Sequence, residues 1–228
     1  NGQLWPLPQT GQMWLEHYLL EHPEEDGFFC VSTSYRNEPN PVEGRHDKIF
    51  PMFEFELKGG IDELRKVEME LLDYLGFNKE GETMTYPRDD YDNIVKKYDV
   101  EELDHIHEEY IERDFGKAFF LENFPRRTSP FWNMKHTEDK EHANKIDVII
   151  HGIETIGSAE RSNDPSQMKE MFNTISEGGY ANILFAQFGK ERVEKELEDF
   201  LKKDFFQRSG GGIGMTRMIR AMKLSNLI

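Results

Sequence analysis

Arginine, glutamate and an aromatic recur over a short span in Tyr35-Arg36-Asn37-Glu38, Arg45-His46, Phe50 and Glu54-Phe55-Glu56. An arginine fork matches phosphate oxygens two at a time, and Phe50 offers a surface on which a base can stack. The same residues also suit a surface hairpin with a solvated ion pair. A second group runs from Asp147 to Glu154. His151-Gly152 predicts a two-residue hairpin turn, which pairs residue 150 with 153 and 149 with 154. Glu154 then lies diagonally across from Asp147 on one face. Two such carboxylates can hold Mg²⁺ when phosphates and water complete its shell; they are equally an acidic sheet face in water. The third group is Ser209-Gly210-Gly211-Gly212-Ile213-Gly214-Met215-Thr216-Arg217. Glycines let a backbone approach a ligand closely, or simply make a tight turn. A helix opening after them would attract an anion, with Arg217 in its first turn. No Gly-Lys-Ser/Thr follows, so this is not a P-loop.

These residues need elements to position them. Residues 28–36 and 50–57 read as strands, one rich in aromatic and β-branched residues and the other alternating. Ser32, Ser34, Arg36 and Glu38 share a face of the first strand, and Glu54 and Glu56 a face of the second. The polar stretch with Pro39, Pro41 and Gly44 joins them. Trp14, Leu15, Tyr18 and Leu19 predict a helix before residue 20. Ile61, Leu64, Val67, Leu71, Leu72 and Leu75 predict another over 61–75, closed by Gly76. The acidic stretch 89–113 predicts one or two surface helices. Residues 117–124 and 145–156 are strand candidates, 165–176 and 190–203 amphipathic helices, and a last helix starts near 215. Strands broken by irregular insertions, without regular βαβ alternation, predict an α+β fold with a mostly antiparallel sheet flanked by helices. Residues 1–228 read as a single domain.

The chain of 228 residues is 37% hydrophobic and carries a formal net charge of -16. A nucleic-acid binder usually shows a basic stripe, and no Lys/Arg-rich tract is present. The single cysteine, Cys30, excludes an internal disulfide and suits a reducing cytoplasm; mid-strand, it reads as packing. No stretch approaches the roughly 18–20 apolar residues of a membrane span, and no membrane partner is expected. His105 and His107, two apart, cannot share a helix face as metal ligands.

In order and spacing, the three groups resemble the catalytic core of class II aminoacyl-tRNA synthetases of the aspartyl/asparaginyl type. Arg36-Asn37-Glu38, Arg45-His46, Phe50 and Glu54-Phe55-Glu56 resemble motif 2, and Gly212-Ile213-Gly214-Met215-Thr216-Arg217 resembles motif 3. Gln9-Thr10-Gly11-Gln12-Met13 resembles the amino-acid-binding segment of asparaginyl enzymes. Asn123-Phe124-Pro125 with Pro130-Phe131-Trp132 resembles the segment before the Mg²⁺ strand. Gly152-Ile153-Glu154, Gly157-Ser158 and Arg161 resemble the substrate-binding strand, with the same seven-residue step from Glu154 to Arg161. The resemblance implies ATP bound in a bent form, with Arg36 and Arg217 as the catalytic arginines on its phosphates. Glu38 would read the adenine amine, Phe50 stack on the ring, Arg45 and His46 touch the terminal phosphates, and Gly212 and Gly214 border the nucleotide. Asp147 and Glu154 would hold Mg²⁺. Thr10, Gln12, Glu54 and Ser158 would surround the amino acid, and Arg161 would face its side chain.

Four departures bear on that expectation. Motif 1, the dimer element, is not seen in the chain: either it lies upstream of Asn1, with any N-terminal domain, or dimerisation differs. Met13-Trp14-Leu15-Glu16 stands where aspartyl enzymes carry a Lys, and Arg208 replaces a His before motif 3. Ile49 replaces a Glu of motif 2. The resemblance thus implies an ATP-dependent, amino-acid-adenylating ligase, expected as a cytoplasmic homodimer. The favoured expectation is tRNA-independent asparagine synthesis from aspartate and ammonia, as in asparagine synthetase A, which shares the glycine run. The alternative is the core of an asparaginyl- or aspartyl-tRNA synthetase, with tRNA as acceptor. A non-catalytic paralogue comes third.

Overall fold

Phe53 and Phe55 alternate with Glu54 and Glu56, so one strand must turn apolar groups to one side and carboxylates to the other. In the computed structural model, which describes residues 7–37, 47–78 and 86–228, this is how the sheet divides. Glu38, Arg45 and His46 lie outside the described residues.

Strands β1 (Gly27–Tyr35), β2 (Ile49–Lys58), β3 (Arg88–Asp90), β4 (Ala118–Pro125), β5 (His142–Ile150), β6 (Ile153–Glu160) and β7 (Arg208–Gly214) form one sheet. Its order is β1-β2-β7-β6-β5-β4-β3. Every pairing is antiparallel except β3 with β4. The expected α+β architecture is present. Helices α2 (Ile61–Tyr74) and α8 (Met215–Leu224) cover one face. There Leu64, Leu72, Met218 and Ala221 pack on Ile146, Val148, Ile150, Ile156 and Ile213. On the other face, α3 (Tyr91–Tyr98) and α4 (His105–Phe115) cover the β3–β5 end, packing on Phe119, Leu121 and Ile149. Helix α1 (Gln12–Glu21) crosses the β1–β2 end of that face, and α5 (Pro165–Thr174), α6 (Gly179–Phe188) and α7 (Lys190–Leu201) gather around Trp132. What remains between is an open stretch of β2, β7, β6 and β5.

Two elements differ from expectation. The glycine run is neither a turn nor a loop but the central strand β7. A Cβ at Gly210 would stand 2.4 Å from the Glu56 carboxyl carbon, one at Gly211 2.5 Å from the Ser158 Cβ, and one at Gly212 2.5 Å from the Met52 methyl. The neighbours fill the space that side chains would take. Helix α6 was not expected, because its sequence has no polar face to give a helical period. The predicted hairpin holds: Ile150 pairs with Ile153 and Ile149 with Glu154. His151 and Gly152 both have positive φ, at 48° and 67°, as a two-residue turn between twisted strands requires.

Candidate active site

Two cavities meet over the open stretch of sheet. One is bordered by Arg36, Phe50, Glu154, Gly212, Gly214 and Arg217. The other is bordered by Thr10, Gln12, Glu54, Asn133, Asp147 and Arg161. Arg36, Met52, Glu154, Gly157 and Gly212 line both, so they form one trough.

In the first cavity Arg36 follows the end of β1, its backbone N–H donating to the Lys48 carbonyl at 2.9 Å. Its guanidinium carbon lies 5.2 Å from the Phe50 ring centroid. Arg217 lies in the first turn of α8, where Nη1 donates to the Glu154 carbonyl at 2.6 Å and approaches the Glu154 carboxylate at 3.9 Å. Two cations and an aromatic face thus border one space, at a helix N-terminus that itself favours anions.

At the junction, Asp147 and Glu154 converge over Gly157. A Cβ there would be 2.8 Å from Glu154 Oε1 and 3.5 Å from Asp147 Oδ1. Asp147 Oδ1 is buried without a hydrogen-bond partner among the described residues. Lys145 donates to Oδ2. Burial pushes the Asp147 carboxyl up to about 7; Lys145 pulls it down, and Glu154 adds to the rise. An orphaned carboxylate oxygen beside a second carboxylate fits a divalent cation whose remaining ligands are phosphate and water. Among the described residues no group of three or more acidic, His or Cys side chains gathers to hold a metal without such help.

In the second cavity Glu54 is 1% exposed. It accepts from the Gly11 N–H at 3.0 and 2.9 Å, from Ser32 Oγ at 2.5 Å and from the Thr10 hydroxyl. These bonds tie the segment before α1 to β2. The Cys30 sulfur lies 4.0 Å from the same carboxylate, and burial, then Glu54, push its thiol up, as befits packing and not a nucleophile. Gln12 Nε2 donates at 2.7 Å both to the Phe55 carbonyl and to Glu56 Oε1. Arg161 reaches the same Oε1 through Nε at 2.7 Å and Nη2 at 2.5 Å. Burial pushes the Glu56 carboxyl up, opposed chiefly by Arg161. The donors converging on Oε1 match an ionised carboxylate.

Ser158 borders the second cavity, but its hydroxyl turns to the other face of the sheet. It pairs with Ile146 and Gly211, on the α2 side of the sheet, and its hydroxyl donates to the Ile146 carbonyl at 3.4 Å. The cause is an extra residue, Thr155, between the pairs Ile149–Glu154 and Val148–Ile156. Such a bulge reverses the alternation, so Gly157, Ala159 and Arg161, not Ser158, join the face of Asp147. Thr10, Gln12, Glu54, Arg161, Arg36, Phe50, Gly212, Gly214, Arg217, Asp147 and Glu154 all border the trough. No role is expected from the sequence for Glu56, Glu16, Arg208, Lys145 or Asn133. Glu56 was within reach, because it shares a strand face with Glu54. Glu16 and Arg208 pair across 192 residues, and no local pattern announces that.

Comparison with known proteins finds a family model described as "tRNA synthetases class II (D, K and N)" matching residues 1–228. The aspartate–tRNA(Asp) ligase of Thermoplasma acidophilum is 23% identical over 166 residues, covering 69% of this chain and 37% of that protein. Among solved structures, asparaginyl-tRNA synthetase from Pyrococcus horikoshii complexed with asparaginyl-adenylate superposes with a TM-score of 0.74 at 19% identity, over 94% of this chain and 52% of that one. Aspartyl tRNA synthetase from Entamoeba histolytica gives 0.71 at 17% identity, over 94% and 48%. The chain therefore spans about half or less of the relatives it matches.

Proposed function

This chain belongs to the class II tRNA synthetases (D, K and N), and on that premise we propose that it activates the carboxylate of aspartate or asparagine as an adenylate, using ATP. The observation that carries the reading is the trough itself. Two arginines and an aromatic lie at one end, an anchored glutamate and Gln12 at the other, and two converging carboxylates between them. That order suits a triphosphate beside an amino acid, with the reacting atoms at the middle.

In this reading Phe50 stacks on the adenine, and Arg36 and Arg217 hold the phosphates. Glu54 faces the α-ammonium while Thr10 and Gln12 shape its surroundings. The carboxylate oxygen attacks the α-phosphorus, a P–O bond to pyrophosphate breaks, and an acyl-adenylate remains. No protein nucleophile is required. Charge that develops on the phosphate oxygens is met by the arginines, already in place before reaction. Asp147 and Glu154 would hold Mg²⁺, which supplies further neutralisation of the phosphates. Glu38, Arg45 and His46 keep the adenine and terminal-phosphate roles that the family resemblance implies.

The acceptor we favour is tRNA, because the relatives are tRNA ligases. Ammonia, giving asparagine from aspartate, is the second reading. A net charge of -16 suits a small acceptor better than RNA, and the glycine run resembles that of asparagine synthetase A. The reading extends to a homodimer in the cytoplasm. Phe29, Val31 and Ile49 form an exposed apolar row on β1 and β2 that a second copy can cover. Among the described residues no helix is long and apolar enough to cross a membrane.

The test is amino-acid-dependent exchange of labelled pyrophosphate into ATP with Mg²⁺. Exchange with aspartate or asparagine, lost in Arg217→Ala, is expected. Absence of exchange with both removes the reading. Trapping the activated species with ammonia or with tRNA then decides the acceptor.

A further inference from the structure

We infer that the inner end of the amino-acid cavity is built for a neutral carboxamide side chain and not for a carboxylate. The inference rests on the adenylation reading and names its substrate.

An arginine that recognises a carboxylate must have its charge to offer. Arg161 does not, because its Nε and Nη2 are both committed to Glu56 Oε1, and Glu56 is fully buried beneath it. The second arginine nearby is no freer. Arg208 is 0% exposed and donates to Glu16 Oε1 through Nε at 2.9 Å and Nη2 at 2.6 Å. Its remaining hydrogens go to Asn163 Oδ1, the Phe206 carbonyl and the Ser162 carbonyl. Two buried glutamates thus cancel two buried arginines. A carboxylate arriving here brings a further negative charge next to Glu56 Oε2, which already lacks a hydrogen-bond partner among the described residues. Burying such a charge unpaired is strongly unfavourable.

A carboxamide meets a different reception. Asn133 borders the cavity, and its Nδ2 is fixed on Glu16 Oε2 at 2.7 Å. That orientation leaves Oδ1 as an acceptor, buried and without a donor. Asn133 lies next to Arg161 along the chain fold: the Ser162 N–H donates to the Asn133 carbonyl at 2.8 Å, and Met134 pairs with Arg161. The Nη1 edge of Arg161 carries no hydrogen bond among the described residues. Both residues line the cavity, so it offers one donor edge and one acceptor atom, the complement of an amide C=O and NH₂. Of the two amino acids that the adenylation reading admits, asparagine carries that group.

Pyrophosphate exchange and calorimetric binding without ATP are measured on the chain with asparagine, aspartate and lysine. Asparagine is expected to lead in kcat/KM by roughly tenfold to a hundredfold, the range set by one mispaired buried polar group. Glu56→Gln frees Arg161 and should shift the preference towards aspartate. Asn133→Ala, a milder change, should weaken asparagine more than aspartate. Equal or better use of aspartate or lysine by the wild-type protein overturns the inference while adenylation stands. If no amino acid supports exchange, adenylation fails, and the calorimetry still decides: tighter binding of asparagine supports the inference, and equal or absent binding overturns it.

Discussion

Glu68 of α2 is 1% exposed behind the trough. Burial pushes its carboxyl up to about 8, against a smaller pull from the Ser158 hydroxyl. The folded protein therefore holds a proton that the unfolded chain releases near 4.5, the ordinary value. Stability from this group is complete below 4.5 and is lost as pH rises towards about 8. The slope approaches about 1.4 kcal/mol per pH unit. Glu68→Gln should flatten that part of a urea-denaturation profile, and an unchanged slope would show that Glu68 ionises freely. Glu16 and Arg208 test the opposite case, a buried pair. Glu16→Gln strands the Arg208 charge and should cost roughly 3–5 kcal/mol by the same denaturation, whereas Glu16→Met with Arg208→Met should cost much less. How far these residues were legible follows from sequence distance. Glu54 and Glu56 declared a shared face within three positions. Glu16 and Arg208 stand 192 apart and declared nothing until the fold brought α1 against β7.

At the scale of elements, β7 is the informative one. Glycine is a poor strand former, since it gives up the most backbone freedom and offers no side chain to pack. A sequence reading accordingly hears a loop in Gly210-Gly211-Gly212. The strand exists because Glu56, Ser158 and Met52 occupy the places of its side chains. Two substitutions should separate packing from function. Gly211→Ala drives a Cβ to 2.7 Å from the Gly157 backbone oxygen and should destabilise by roughly 1–3 kcal/mol, read by thermal unfolding. Gly212→Ala meets the mobile end of Met52 at 2.5 Å; it should unfold nearly as the parent does but lose nucleotide affinity in an ATP titration. The β5–β6 hairpin was legible down to its register because a two-residue turn is a local signal. The bulge at Thr155 was not, as nothing in Glu154-Thr155-Ile156 marks an extra residue. The family resemblance sets Ser158 at the amino acid, and the bulge turns its hydroxyl to the α2 side.

At the scale of the molecule, the exposed row of Phe29, Val31 and Ile49, 70%, 67% and 63% accessible, is the face proposed for a second copy. Phe29→Glu should convert a dimer to a monomer in analytical ultracentrifugation; a wild-type monomer would remove that part of the proposal. The strand order carries a last consequence, for how the chain reaches its shape. β7 is the final strand in sequence, yet it lies between β2 and β6. The early pair β1–β2 and the later run β3–β6 share no direct strand pairing without it. Closing the gap between them must wait for residues 208–214, across long loops whose closure is slow. Arg36 and Phe50 belong to one half, and Asp147, Glu154 and Arg161 to the other. A ribosome-bound chain that has not yet released β7 lacks the strand that joins the two sides of the trough, so the proposed nucleotide site is completed only with that strand.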